Sequence, residues 1–279
     1  MLFRSRPDLV FHAAAFKHVP LSESNPNETV LTNVLGTYRV AQACRDSSAS
    51  AMVLISTDKA VRPASVMGAT KRLAEMVCQA LAAAESGHAA PTRFITVRFG
   101  NVLGSTGSVV PLFQRQIAAG GPLTVTHAEA TRYFMTEREA VELVLQASAD
   151  SREPGAGGRI YVLDMGEPVR IRDLARQMIR LAGLRPEDDI AVVYTGLRPG
   201  EKLTEALFEE SESPAPTARE GIHLATPPVV SHEALAPELE QLFAAAQARR
   251  TEETLALLRR MVPAYVAAPE VAQAAAATD

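Results

Sequence analysis

The chain has 279 residues, 47% of them hydrophobic and 22% charged, with a formal net charge of -4 and a sequence pI of about 5.9. That balance belongs to a folded globular protein, long enough for one large domain or a domain with a smaller lobe. It argues against nucleic acid as the main partner, because no basic excess is spread over the surface.

No apolar run reaches the ~18 residues of a membrane span. The opening MLFRSRPDLVF is broken by charge too soon for a signal peptide, so the chain as written reads as cytoplasmic. Cys44 and Cys78 fall inside apolar helical patterns and read as buried thiols of a reducing compartment, with no metal site expected.

In chain order, residues 8–12 (DLVFH) predict a short strand ending in Ala13, Ala14 and Ala15. Such small residues suit either tight helix–strand packing or the close approach of a flat ligand. Lys17 and His18 follow in a loop, solvated or facing a ligand. Residues 25–46 carry a helical pattern with Val30, Val34, Val40 and Ala41 inward and Pro26 in the first turn. Asn33 is polar amid apolar neighbours, where it is either exposed or bonds backbone and shapes a cavity. Residues 51–55 predict a strand that breaks at Ser56-Thr57-Asp58-Lys59, at the carboxyl end that faces the ligand crevice of an open α/β sheet. A loop with Pro63 leads to a helix over 67–84. Met67 and Lys71 stand one turn apart near its start, so the lysine can sit in the same crevice.

Residues 92–99 predict the next strand, ended by Gly100-Asn101-Val102-Leu103-Gly104. Alone that is an ordinary turn, but Asn101 supplies an amide where a diphosphate can lie. Ser108 and Val109 open a helix through 119, whose free N–H groups suit phosphate. A strand at 123–126 precedes Thr131-Arg132-Tyr133-Phe134-Met135 and a helix at 137–147. Beyond lie a Pro/Gly-rich loop at 151–158, a strand at 159–164, an amphipathic helix at 171–182 with Arg172, Arg176 and Arg180 outward, and a strand at 190–194. In Arg198-Pro199-Gly200-Glu201-Lys202-Leu203, Arg198 offers a planar fork for a diphosphate or ribose; Glu201 can bond ribose hydroxyls or pin Arg198. A mobile Ser/Pro/Glu-rich loop at 209–219, helices at 231–246 and 252–261, and an Ala-rich tail from 267 complete the chain.

Strand–helix alternation predicts an α/β fold: a partial doubly wound, Rossmann-like parallel sheet lacking its first strands, a smaller α/β substrate lobe and a C-terminal helical tail. The expected division is 1–165 for the dinucleotide-binding part (with 104–128 contributing to the substrate lobe), 166–228 for that lobe and 229–279 for the tail.

The stretch LISTDKAVRPASVMGATKRLAE, together with K-H-V-P, R-F-G-N-V-L-G, T-R-Y-F-M and R-P-G-E-K-L, resembles the extended short-chain dehydrogenase/reductases. More narrowly, it resembles the nucleotide-sugar 4,6-dehydratases of bacterial polysaccharide biosynthesis, the CapD-like group. The resemblance implies NAD or NADP as cofactor, a UDP-N-acetylglucosamine-type substrate, and a redox-neutral loss of water giving a 4-keto-6-deoxy sugar nucleotide. It places Ala13, Ala14, Ala15, Asn33, Ser56 and Lys71 beside the cofactor. It places Lys17, Asn101, Ser108, Val109, Arg132, Arg198 and Glu201 on the substrate, and Thr57, Asp58, Lys59, Met67 and Lys71 at the reacting atoms.

Thr57 is then expected on the carbon 4 oxygen, Asp58 as the acid for the leaving hydroxyl, and Lys59 as the carbon 5 base, a role that requires a depressed pKa. The family's usual Tyr-x-x-x-Lys is here Met67-x-x-x-Lys71, as in one branch of the group. Methionine has no titratable proton, so the carbon 4 hydroxyl proton is expected to pass to Asp58 or to water.

Nucleotide-sugar epimerases share the fold and form the competing enzymatic reading. The glycine-rich phosphate turn of such folds does not precede Asp8. The expectation is therefore an N-terminally truncated frame or fragment, with Leu9 to Phe11 on a bare sheet edge. An inert or partner-binding remnant is the third reading. Family members often carry membrane helices ahead of this part. A homo-oligomer is expected, built through helices of the 25–46 and 67–84 type.

Overall fold

The computed structural model describes residues 4, 6–85, 91–150, 158–209, 212 and 214–267. The loop expected at 151–158, save Gly158, and the tail beyond 267 lie outside them. In chain order the strands are β1 (Leu9–His12), β2 (Ala51–Ile55), β3 (Arg93–Arg98), β4 (Asn101–Val102), β5 (Leu123–Val125), β6 (Thr131–Arg132), β7 (Phe134–Met135), β8 (Ile160–Leu163), β9 (Val169–Arg170), β10 (Val192–Tyr194), β11 (Ala215–Pro216) and β12 (Ile222–Ala225). The α-helices are α1 (Val19–Ser24), α2 (Pro26–Val30), α3 (Gly36–Asp46), α4 (Val66–Ala84), α5 (Val109–Ala118), α6 (Glu137–Asp150), α7 (Ile171–Leu181), α8 (His232–Gln247) and α9 (Thr251–Met261).

The main sheet runs β1-β2-β3-β8-β12-β11. Its first four strands are parallel, with Leu9 opposite Ala51 and Ala51 opposite Arg93. β2, AMVLI, has no alternation because helices cover both of its faces, and Ala51 to Leu54 are all buried. Beyond β8 the sheet departs from the parallel expectation: β12 and β11 add on antiparallel. Both fall where the sequence offers only a polar, proline-broken stretch and the four residues IHLA, too short for periodicity to register.

One face of the sheet carries α3, α4, α8 and α9, joined in a single cluster in which Leu73, Leu81, Leu242 and Leu258 are fully buried. Each such leucine contributes about 2 kcal/mol by leaving water. α4 is buried from Val66 to Leu81 by this packing. Of the two helical stretches expected to offer an assembly face, the one at α4 is therefore covered by the chain's own α8 and α9. On the other face α6 lays Ala140, Val144 and Ala147 against Val53, Ile95 and Val97. Next to it Leu9 and Phe11 of the β1 edge, and Val141 and Leu145 of α6, remain exposed. The lobe is a third cluster, with Phe113 of α5, Leu123 of β5, Ala175 and Ile179 of α7, and Val192 of β10.

The helix expected at 25–46 is interrupted by a π-helical turn, Leu31–Leu35, that carries Asn33. The wider turn points this fully buried side chain at the loop after β1. Asn33 Oδ1 accepts from the Phe16 N–H at 2.7 Å, and its amide donates to Phe16 O at 3.1 Å and to Thr70 Oγ1 at 3.0 Å. A π-turn at such a junction fits the tendency of these irregularities to sit beside functional sites.

Candidate active site

The carboxyl ends of β1, β2 and β3 open, together with the lobe, on one cavity of about 780 Å³, a size that suits a small-molecule ligand. Its most ordered wall is the end of β2 and the start of α4. Ser56 N–H donates to Val97 O at 2.7 Å and Asp58 N–H to Phe99 O at 3.1 Å, so the polar turn is pinned to the β3 side. Thr57 caps a single 3-10 turn, Asp58–Ala60. α4 begins at Ser65, whose Oγ accepts from Gly68 N–H at 3.0 Å, and Glu23 accepts from Val66 N–H at 2.7 Å. Gly68 lets the helix press against the turn: a Cβ there would stand 2.3 Å from the Lys59 carbonyl oxygen.

The side chains of this wall are tied from behind. Ser56 Oγ donates to Glu75 Oε1 at 2.6 Å. Glu75 is held in turn by Arg98, through Nε at 2.8 Å and Nη2 at 2.7 Å, and by Arg72 at 3.2 Å. Burial by itself would push the Glu75 carboxyl up, but the arginines and Ser56 outweigh it and hold its pKa below the usual range. Thr57 Oγ1 donates to Asp58 Oδ1 at 2.9 Å, and Lys59 Nζ donates to the same oxygen at 2.9 Å and to Asn101 Oδ1 at 3.1 Å. Lys71 Nζ donates to Ile55 O at 2.6 Å. Both hydroxyls at the end of β2 have thus given their hydrogens to buried carboxylates, and Ser56 and Thr57 present lone pairs to the cavity.

The surroundings shift the two lysines in opposite directions. Burial drives Lys71 down to about 8, against a smaller opposing pull from Glu75 and Cys78. Burial also acts on Lys59, but Asp58 and Glu205 outweigh it and its pKa lies above the usual lysine value. This corrects the expectation of a depressed Lys59: at rest it is a firmly protonated ammonium. His12, whose Nε2 lies 3.0 Å from Thr37 Oγ1, is lowered to about 4 by burial and by the nearby Lys71, and is neutral.

The opposite lip is built from charges nearer to solvent. Lys17 and His18 come from the loop fixed by Asn33, and Gly107 packs so closely on the His18 ring that a Cβ would meet Cε1 at 2.6 Å. Arg198 reaches the rim with its side chain 57% exposed and donates through Nε to Glu201 Oε1 at 3.1 Å. Gly200, at φ +76, wedges the turn against Glu23 and Ser65. Arg132, in contrast to these exposed charges, is buried and donates to the carbonyls of Thr131 at 2.7 Å and Leu203 at 3.2 Å.

The cavity gathers most of the residues expected there: Ala13, Ala15, Lys17, Ser56, Thr57, Lys59, Met67, Lys71, Asn101, Ser108, Val109, Arg132, Arg198 and Glu201. Three stand outside its lining. Ala14 is exposed to solvent beyond it. Asn33 is fully buried and holds Phe16, so it positions the loop instead of touching a cofactor. Asp58 is fully buried beneath Thr57 and Lys59, so its carboxyl does not reach a leaving hydroxyl directly. Sequence reading passed over Glu205, which lines the cavity with a side chain only 3% exposed and pairs with Lys59 at 3.8 Å and Lys202 at 3.2 Å. Its signal was an acid three residues after Lys202, just past the R-P-G-E-K-L run.

A nicotinamide dinucleotide fits this wall at its nicotinamide–ribose end. Lys71 and Ser56 offer a donor and lone pairs at the β2 end, and Ala13 and Ala15 leave the end of β1 clear of bulk.

The sequence profile described as polysaccharide biosynthesis protein matches residues 1–227. The chain is 56% identical over 207 residues to the capsular polysaccharide biosynthesis protein CapD of Staphylococcus aureus, covering 74% of this chain and 33% of that one. It is 38% identical over 205 residues to the UDP-glucose 4-epimerase of Rickettsia typhi (74% and 57% covered). It is 36% identical over 207 residues to the inverting UDP-N-acetylglucosamine 4,6-dehydratase of Campylobacter jejuni (74% and 58% covered). The chain thus spans about a third to three fifths of the length of these relatives. Among solved structures, Pen from Bacillus thuringiensis superposes with a TM-score of 0.70 at 34% identity, covering 82% of this chain and 69% of that one. MoeE5 in complex with UDP-glucuronic acid and NAD superposes with a TM-score of 0.58 at 25% identity, covering 71% and 68%.

Proposed function

The chain belongs to the polysaccharide biosynthesis protein family, and on that premise we propose that it carries the reacting wall of a UDP-N-acetylglucosamine-type 4,6-dehydratase dependent on NAD or NADP. The supporting observation is the convergence of Thr57, Lys59 and Lys71 on one cavity, with Asp58 directly beneath the first two and Met67 where the family's tyrosine stands. A bound nicotinamide would supply a hydride acceptor for carbon 4 of the sugar and a hydride donor for carbon 6. Lys71 and Ser56 would hold its ribose and carboxamide.

The remaining roles fall to side chains whose geometry is fixed. Thr57 faces the cavity with a lone pair and takes the hydrogen bond of the carbon 4 hydroxyl. Lys59, steadied by Asn101 and Glu205, faces the carbon 5–carbon 6 region as the source of the proton for the departing hydroxyl. Arg198, Lys17 and Arg132 and the N-terminus of α5 at Ser108 and Val109 clasp the diphosphate and uridine. The product serves surface-polysaccharide assembly, and we take the active unit to be a homo-oligomer.

An epimerase is the second reading, because relatives carrying each activity match this chain about equally well. The Asp58–Lys59 pair favours elimination, since epimerisation at carbon 4 needs no acid for a leaving hydroxyl. Incubating the purified full-length protein with UDP-N-acetylglucosamine and NAD or NADP decides between them: dehydration gives a product one water lighter, and epimerisation gives an isomer of equal mass.

A further inference from the structure

The wall and the lip of the cavity meet on a residue that does not line it. Glu23 is half-buried near the end of α1. Its Oε1 accepts from the Val66 N–H at 2.7 Å, the first N–H of α4. The same oxygen supports the turn that carries Arg198. A Cβ on Gly200 would stand 2.9 Å from Glu23 Oε1, 2.9 Å from Ser65 Cβ and 3.0 Å from Val19 Cγ1. Only a glycine, here at φ +76, lets the turn come so near. One carboxylate oxygen is thus the crossing point of α1, the first turn of α4 and the Arg198–Glu201 turn.

Each of these three pieces brings side chains to the cavity. α1 follows directly on Lys17 and His18, α4 presents Met67 and Lys71 within its first two turns, and Arg198 and Glu201 flank Gly200. Capping alone does not require the arrangement. Ser65 already caps α4 through the Gly68 N–H, and packing holds the helix from Val66 to Leu81. Burial pushes the Glu23 carboxyl above the usual range, against the opposing bond from Val66. What Glu23 adds to the serine cap is a link between elements 43 positions apart in the chain. The loop entering α4 is held on another side too, where the Val266 N–H donates to Pro63 O at 3.1 Å.

We propose that Glu23 is a positioning residue that sets the distance between lip and wall, so that a sugar nucleotide gripped at Arg198 presents its sugar at the reach of Lys71. The inference rests on reading the cavity as a nucleotide-sugar site. Length and an acceptor oxygen are what the role demands, because that oxygen must meet the Val66 N–H and the Gly200 backbone together. A ligand that spans lip and wall depends on the distance. A ligand held by the lip alone does not. A misplacement of about 1 Å is enough to slow a reaction on the order of 100-fold.

The test compares UDP, which occupies the lip, with UDP-N-acetylglucosamine, which spans both sides, on the full-length protein with its cofactor and on three variants. In E23A the Kd for UDP by calorimetry should stay within about threefold of the parent, while kcat on the sugar nucleotide falls at least about 30-fold. E23D, one methylene short, should fall with E23A. E23Q keeps the length and the acceptor oxygen and should stay within about threefold of the parent. A residue that served stability alone would weaken UDP binding and turnover together. Parallel losses of the two in E23A, parental turnover in E23A, or an E23Q as slow as E23D overturns the positioning role. Where E23A does not fold, the contrast of E23D with E23Q carries the test, and equal turnover in the two overturns it. A parent protein that binds no UDP or leaves the sugar nucleotide unchanged overturns the nucleotide-sugar reading itself, and the positioning role with it.

Discussion

The β2–α4 wall and the lip facing it put charge to opposite uses. On the wall, Asp58, Glu75 and Arg98 are fully buried and Lys71 nearly so, and each is held by a fixed partner within the chain. On the lip, Lys17 and Arg198 reach into water, and Arg198 is held by a single neighbour three residues away. Buried charge must be satisfied before any ligand arrives, since an unpaired ion in the interior costs several kcal/mol. Exposed charge pays little for staying free, and so remains available to a ligand. The wall therefore has its reacting geometry in advance, and the lip contributes attraction and grip.

The largest effect that can break this contrast is on the wall. Arg98→Met strands Glu75 and Glu212, both of which it binds; stability should fall by about 3–5 kcal/mol in urea unfolding. A loss under about 1 kcal/mol would show that the network does not hold the wall. Next, Lys71→Met should lower kcat by at least about 100-fold while the urea midpoint stays level or rises, because a buried charge has been removed. Gly68→Ala should cost about 1–3 kcal/mol, since the new methyl meets the Lys59 carbonyl, and should slow turnover by moving that turn.

Across the cavity, Arg198→Ala should raise KM for the sugar nucleotide about tenfold, near 1.4 kcal/mol, with kcat little changed. The smallest effect concerns His12. The unfolded chain takes up its proton near 6.5 and the folded chain only near 4, so folded stability should fall as pH drops through that window. His12→Asn should flatten that part of the stability–pH curve. An unchanged slope would mean that other groups set it.

Much of this was legible before any coordinates. The strands β1, β2, β3 and β8, the long helices α4 and α6 beside them, and the gathering of the T-D-K turn with Lys71 and R-P-G-E-K-L follow from apolar runs and from motifs carried on strand ends, whereas the two-residue strands β4, β6 and β7 do not. The antiparallel strands β11 and β12 were not legible, because two- and four-residue strands carry no period. The π-turn at Leu31–Leu35 was hidden for a related reason: the apolar pattern of 25–46 continues through it, and only contacts to Phe16 and Thr70 distinguish Asn33 from a surface residue. Asp58 shows the limit of motif reading. Its neighbours on both sides face the cavity, and a 3-10 turn, which one sequence cannot reveal, rotates it underneath. Lys59 fails in a similar way, because its ammonium is held by Asp58 beneath it and by Glu205, 146 positions away in the chain.

Deuterium placed on carbon 4 of UDP-N-acetylglucosamine follows the hydride through the reaction catalysed by the full-length protein. Its appearance on carbon 6 of a 4-keto-6-deoxy product is the result expected of the Thr57–Asp58–Lys59 wall. Deuterium retained on carbon 4 of an isomeric sugar nucleotide would contradict it.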